Sequence, residues 1–391
     1  MFKRKQARPA VVLDQKQHPS PEKPVRHARG RKLLTVMILI LASLALIHFI
    51  AVSHTAYPTL TTVNCLDLIR NSDYTKFVQV DHRTQAMGAV QLVDQLLDEQ
   101  PAALVPVEDT GPQHLLDVYV YGCTQQQQHP TLTLLFKQQG LIQGTLAVTG
   151  SNTLSIGELD TTISQDHAML LQPLQQNVYR QYSWHDNTFI QTVFPGLYPV
   201  TSRSEADALQ DQANNGQSLP WSDPLISAQQ MAKDLFHWSG DTVHATLQDV
   251  NDKTAHVLLI QQRPHLEVRV TLTRLVQPTA TGLWFVTEAR TPGMTLDQPI
   301  VNLPLISPLS LQGTGALSDG ETTALLFDHT LAPMHPLNPG PIHVSGTGAF
   351  SGSLLYTSTI SNQPGLLLIE SLPPNGSTEA GQLLLTGLIL G

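Results

Sequence analysis

Sixteen histidines, two cysteines and a few closely spaced acidic pairs are the side chains of this 391-residue sequence with obvious chemical potential. A zinc site needs ligands at short helical or loop spacings, yet no His-x-His, His-Glu-x-x-His or Cys-x-x-Cys occurs. His237, His244, His256 and His265 fall at irregular intervals on different expected elements, the pattern of structural or exposed imidazoles. No Gly-x-Ser-x-Gly elbow and no phosphate loop ending in Gly-Lys-Ser or Gly-Lys-Thr is found. Gly313-Thr-Gly315 with Gly320 has the glycines of a dinucleotide loop. That chemistry requires a following helix in a parallel βαβ unit, and Asp319-Gly320 instead suits a turn between strands. Glu158 with Asp160, and Asp207 with Asp211, would do glycosidase-type acid–base work only if a cleft held two carboxyls about 5–9 Å apart. A sequence shows no such distances, and solvated surface charge is the expected reading. Trp184, Trp221, Trp238 and Trp284 lie within or beside packed elements, as core rather than as ligand platforms. Asn375-Gly-Ser377 is expected to be a turn. The residues therefore assign no catalytic, cofactor-binding or metal-binding role to any side chain.

The charge pattern sets the frame that would position them. Residues 1–32 carry ten Lys and Arg against Asp14 and Glu22, whereas the remainder has a net charge of −17. Such asymmetry indicates different surroundings for the two parts, and an acidic body would repel nucleic-acid phosphates. Residues 33–52 contain no charged side chain, and about 20 helical residues span a hydrocarbon core of roughly 30 Å. Arg26, Arg29, Arg31 and Lys32 flank that stretch and favour a cytoplasmic amino terminus. The expected order is a disordered basic tail (1–32), a transmembrane helix in contact with the lipid bilayer (33–52) and a tether (53–62). A single-pass protein of a cell membrane, its C-terminal domains extracytoplasmic, follows. His48 sits near the outer end of the span, where snorkelling is easy. In an oxidising compartment Cys65 and Cys123 are expected to join as a disulfide; two separate buried thiols are the alternative.

Beyond the tether the expected fold class is mostly β with an α+β part. Residues 63–200 form a β-rich domain, in which Leu115–Gly122 is a strand and His185-Asp-Asn187 a hairpin turn. One helix is expected over 84–98, because Met87, Val90, Val93 and Leu97 recur at helical spacing. Residues 201–292 form an α+β domain. Ser204-Glu-Ala-Asp207 is a capping-box-like start for a helix running to Gly216. A second helix follows Pro224, capped by Ser227 and ending at Gly240, with Ala228, Met231, Ala232, Leu235 and Phe236 as its apolar stripe. Antiparallel strands are expected at 242–250, 254–261, 266–276 and 282–290. In the third, Leu266, Val268, Val270 and Leu272 alternate with polar residues, so one face is buried. Thr291-Pro-Gly-Met294 is expected to be a linker. Gly313-Thr-Gly-Ala-Leu-Ser318 recurs as Gly346-Thr-Gly-Ala-Phe-Ser351, an echo suited to similar strand ends in one β-sandwich.

The last part, residues 297–391, resembles the immunoglobulin-like domain of bacterial spore-germination proteins known as Gmad2. The resemblance is carried by Ile306-Ser-Pro-Leu-Ser-Leu-Gln-Gly-Thr-Gly315, Gly348-Ala-Phe350, Leu354-Leu-Tyr356, Gly365–Ser371, Asn375-Gly-Ser377 and the apolar strand Leu383–Leu390. Leu317-Ser-Asp-Gly320 stands where the family usually has an aromatic–Glu pair, so a shared ligand surface at that strand does not carry over. The resemblance implies an immunoglobulin-like β-sandwich in an envelope protein of a bacterium, linked to spore formation or germination, and no chemistry. Residues 63–200 are loosely similar to domains of exported bacterial lipoproteins. The expectation is a non-enzymatic, membrane-anchored extracytoplasmic protein that binds an envelope protein or cell-wall partner or serves a structural role. The alternative is a cell-wall or glycan hydrolase with carboxylates assembled in the middle domains.

Overall fold

A computed structural model describes residues 64–391, except 99, 127–128, 151, 165, 167–168, 170, 172, 240–241, 318–321, 335–337, 340–341, 346–347 and 374–379. The expected tail (1–32), transmembrane helix (33–52, with His48) and tether (53–62) lie outside the described residues, as do the turns at Asp319-Gly320 and Asn375-Gly-Ser377.

Helix α1 (Cys65–Asn71) starts at Asn64, whose side chain caps the Asp67 amide. A first sheet follows from β1 (Gln85–Met87), β2 (Gln91–Leu97), β3 (Gln100–Asp109), β4 (Leu115–Gln126) and β5 (His129–Ile142). Its order is β1-β3-β4-β5, with β2 also on β3. Both faces of β3 are covered. Ala103, Val105 and Val107 pack with Ile69 and Tyr74 of the α1 side. Ala102 and Leu104 face Leu154 and Ile156 of a second sheet. That sheet is the meander β6 (Thr145–Val148), β7 (Leu154–Leu159), β8 (Asn177–His185) and β9 (Thr188–Thr192). The hairpin at His185-Asp-Asn187 is present: His185 pairs with Thr188, and Asp186 and Asn187 take the left-handed conformations that a tight right-twisted hairpin needs. Cys65 and Cys123 form a disulfide, their Cα atoms 5.4 Å apart, which ties α1 to β4. Closing a 58-residue loop in this way stabilises by roughly 4 kcal/mol in chain-entropy terms.

The helix expected over 84–98 is not formed; β1 and β2 occupy it. Met87 and Val90 pack on the α1 face of the sheet, whereas Val93 and Leu97 pack on the opposite core. Residues that a helix would gather on one side are needed on two, and β3 supplies the backbone partners.

Two twelve-residue helices follow, α2 (Arg203–Asn214) and α3 (Pro224–Leu235). Asp223, not Ser227, caps α3, with Pro224 at its first position. Ser227 is buried and donates to the Trp284 carbonyl. The strands β10 (Val243–Val250), β11 (Thr254–Gln262), β12 (His265–Thr273) and β13 (Phe285–Arg290) then form an antiparallel meander. Leu266, Val268, Val270 and Leu272 are all buried beneath Met231, Ala232 and Leu235 of α3, as the alternation predicts.

The remaining strands are β14 (Thr295–Gln298), β15 (Pro304–Leu305), β16 (Leu309–Thr314), β17 (Thr322–Phe327), β18 (Asn338–Pro339), β19 (His343–Val344), β20 (Ala349–Leu355), β21 (Gln363–Ser371) and β22 (Gln382–Leu390). Here the expected fold class needs correction. The molecule is mostly β, but the α+β part (201–292) and the C-terminal sandwich (297–391) are not separate. One eight-stranded sheet runs β10-β11-β12-β13-β22-β21-β17, with β15 alongside β22. The expected linker is a stitch in that sheet: the Thr291 amide donates to the Leu383 carbonyl, and its hydroxyl donates to the Glu267 carbonyl. Met294 is fully buried. The longest described helices have 12 residues, and among the described residues none is long and apolar enough to cross a membrane.

The sandwich itself is present. Leu367, Ile369, Leu384 and Leu388 of the long sheet meet Leu309, Leu311, Phe350 and Leu354 of the sheet β14-β16-β20-β18, in which β19 also pairs with β20. The described parts of the echo that lie in strands, Gly313–Thr314 and Ala349–Ser351, sit on adjacent antiparallel strands, with Gly313 opposite Phe350. A Cβ at Gly313 would run into the Phe350 ring and the Thr295 carbonyl.

A chain ending at residue 292 removes Phe327, Leu366, Leu368, Leu383 and Leu385 from the core beneath α3. Loss of cooperative urea unfolding and rapid proteolysis of that shortened chain are the expected outcomes. A protease-resistant 64–292 fragment with a sharp transition would show an independent domain.

Candidate functional site

The start of α2 brings an acid into the interior. Ser202 is its cap, accepting from the Glu205 amide at 3.2 Å, while its hydroxyl donates to Glu205 Oε2 at 2.6 Å. This is a variant of the Ser-x-x-Glu capping box, in which the carboxylate normally takes the cap amide. It begins two residues before the Ser204-x-x-Asp207 start that the sequence suggested. Ala206 and Leu209, on the same helix, pack against Phe194, Leu219 and Phe285, which holds Glu205 inward. A carboxylate in the first turn gains from the helix dipole. Burial outweighs that gain and pushes its pKa up to about 7, against the opposing hydrogen bond of Ser202 and the field of His329.

His329 arrives from the turn after β17. Asp328 Oδ1 accepts from the Thr330 and Ala332 amides and fixes this turn. The His329 ring Nε2 lies 3.0 Å from Asp160 Oδ2, both side chains being buried. Burial works against the charge of Asp160, but hydrogen bonds from His329 and Thr162 prevail and its pKa falls below the usual value. Three stretches remote in sequence thus meet: the loop after β7, the start of α2 and the turn after β17. Ser202 directs its proton to Glu205 and His329 directs Nε2 to Asp160, so these groups form no serine–imidazole pair.

Beside Glu205 lies a cavity of about 280 Å³. Its walls include Tyr198, Trp221, Leu209 and Leu331, and Asp234 lies on its exposed side. Asp234 occupies the last turn of α3 and accepts from the Tyr198 hydroxyl at 2.7 Å and from the Gln230 amide at 3.0 Å. Burial, then the bond to Asp234 and its charge, raise the Tyr198 pKa far above the ordinary phenol value, so Tyr198 stays a neutral donor. The Trp221 indole N–H is buried and closes no hydrogen bond among the described residues. No lysine, arginine or histidine is among the described residues lining the cavity.

The acid pairs singled out from the sequence behave differently from expectation. Glu158 is no solvated charge: its Oε1 lies 2.7 Å from Nη1 of buried Arg180, which also donates to the Ser361 carbonyl. Asp160 is buried against His329. Burial between the second sheet and the C-terminal sandwich gives both acids partners that local spacing does not reveal. Asp207 pairs with Arg203 on the flank of α2, and Asp211 is exposed. Trp238 and Trp284 are core, whereas Trp221 lines the cavity. His244 and His265 are exposed, and His256 is half-exposed. The sequence did contain a pointer to Glu205, the Ser202-x-x-Glu205 spacing. It contained none to His329 or Asp234, whose roles arise only from tertiary contact.

No family model, curated protein or solved structure matches the chain.

The raised Glu205 pKa fixes a pH dependence. Below its ordinary value of 4.5 both folded and unfolded chains hold the proton. Between 4.5 and about 7 only the unfolded chain ionises, so this group's contribution to stability falls as pH rises and is lost above that range. The full effect is on the order of 3 kcal/mol. Glu205→Gln is expected to gain stability over the parent protein between pH 5 and pH 8, measured by urea unfolding at each pH. An equal difference between variant and parent at both pH values would show that Glu205 ionises freely.

Proposed function

We propose that this chain is an exported, non-enzymatic binding protein of a bacterial envelope, with the Glu205–Asp234 cavity as its ligand site. The observation that carries this reading is a walled cavity with polar groups fixed in place by their own hydrogen bonds. Pockets for organic ligands run from about 300 to 1,000 Å³, so this one suits a small molecule at the lower end of the range. The Cys65–Cys123 disulfide supports an oxidising compartment outside the cytoplasm. Attachment to the lipid bilayer through residues 33–52, with the basic tail inside, is supported by the charge asymmetry of the sequence. The likeness of residues 297–391 to the Gmad2 domain supports an envelope setting linked to spore formation or germination. An envelope protein or cell-wall component is then the macromolecular partner.

One observation favours the second reading, a cell-wall or glycan hydrolase: two carboxyl groups line one cavity, and one has a pKa near neutrality. Size and bonding count against it. A cavity of about 280 Å³ is small for a polymer segment, and Asp234 is already held by Tyr198 and Gln230.

Ala208 lines the cavity from a half-exposed position on α2, so Ala208→Trp fills the space without opening the core. In a thermal-shift screen of charged and neutral small molecules, the parent protein is expected to show ligand-induced stabilisation that this variant loses. Neither form is expected to release fragments from peptidoglycan. Turnover by the parent alone would establish the hydrolase, and a screen without a response would remove the cavity as a ligand site.

In intact cells, a membrane-impermeant amine reagent is expected to label the exposed Lys137 and Lys253, read by peptide mass spectrometry. Labelling confined to lysines before residue 33 would reverse the proposed orientation.

A further inference from the structure

The cavity's chemistry is one-sided. It has two acidic groups in its wall and no basic residue among the described residues that line it. Its best-placed donor is already committed, because the Tyr198 hydroxyl is bonded to Asp234. What remains for a ligand is the charged carboxylate of Asp234, beside the neutral amide of Gln212 and the Glu205 carboxyl, whose raised pKa keeps it partly protonated at neutrality. A carboxylate ligand would meet the like charge of Asp234 well inside a Debye length of about 8 Å, where salt screens little. A neutral ligand would gain from the apolar walls alone. A cation gains from the Asp234 carboxylate and from the aromatic rings of Tyr198 and Trp221 in the wall, since aromatic quadrupoles attract ammonium groups. Leu209, Leu235 and Leu331 supply a surface for a hydrocarbon body.

We infer that the ligand of this cavity is a small organic ammonium ion, its cationic head at Asp234 and its hydrocarbon part against Leu209 and Leu331. Asp234 is the anchor because it is exposed and reachable, while Glu205 forms the buried end. The hydrogen bonds from Tyr198 and Gln230 hold the Asp234 carboxylate in a fixed orientation, so little order is lost when a ligand arrives. Charge complementarity, rather than shape, sets the selectivity. The inference rests on the reading of the cavity as a ligand site.

Calorimetric titration of the full chain with three near-isosteres tests it: 2-phenylethylamine as the cation, 2-phenylethanol as the neutral form and 3-phenylpropanoate as the anion. The amine is expected to bind at least tenfold more tightly than the alcohol, and the carboxylate not to bind. Asp234→Asn keeps an acceptor for Tyr198 and is expected to weaken the amine at least tenfold while leaving the alcohol unchanged. If the alcohol or the carboxylate binds as tightly as the amine, and Ala208→Trp abolishes that binding, the ligand is not a cation but the cavity is still its site. If none of the three binds, the cation assignment fails. If the wider screen is also silent, the cavity reading falls with it.

Discussion

The architecture depends on a short antiparallel splice. Ala289 and Arg290 of β13 pair with Leu385 and Leu384 of β22, and Thr291 closes the junction with hydrogen bonds to Leu383 and Glu267. Few residues make this join, but it converts a helix-covered meander and one layer of a sandwich into a single sheet. Much of what surrounds the cavity is hung on that sheet, while Leu174 and Gln175 come from the segment leading into β8 of the second sheet. Helix α3 lies across its meander half, and the turn that carries His329 leaves its far strand, β17. The splice, with the shared core of Met231, Val268, Phe327 and Leu385, places Asp234 and His329 in one body.

A second constraint is electrostatic. The interior between the sheets contains Glu205, Asp160, His329 and Arg180, groups that are costly to bury unpaired. The fold answers by pairing: Arg180 with Glu158 and the Ser361 carbonyl, His329 with Asp160, and Glu205 with the hydroxyl of its own helix cap. Arg180 and Gln191 of the second sheet both reach the segment 361–362, so these bonds also fix the second sheet against the sandwich. Glu205 is the least compensated of the set, which is why its pKa is pushed up to about 7. Such perturbed groups collect at functional sites more often than elsewhere.

Much of this fold was legible in the sequence where a single face decides the structure. The alternation in 266–272 and the stripe from Ala228 to Phe236 each mark one buried face, and both are found as expected. The cysteine pairing was also legible, because few partners were available. Reading failed where two faces are buried, as at 84–98, since a strand serving two cores has no clean period. It failed again at Thr291–Met294, where proline and glycine suggest a loop but the partners lie about 90 residues further along the chain. The cavity was the least legible feature. Its members come from six stretches of the chain, and only Glu205 had a local signature.

The disulfide has a mechanical consequence. Cys65 is the first residue of α1, and its partner Cys123 lies in β4, which is flanked on both sides by β3 and β5. Tension applied to the chain at residue 64 is therefore transmitted by a covalent bond into the middle of a sheet. The load falls as shear on two ladders of backbone hydrogen bonds, and α1 is bypassed instead of being peeled away turn by turn.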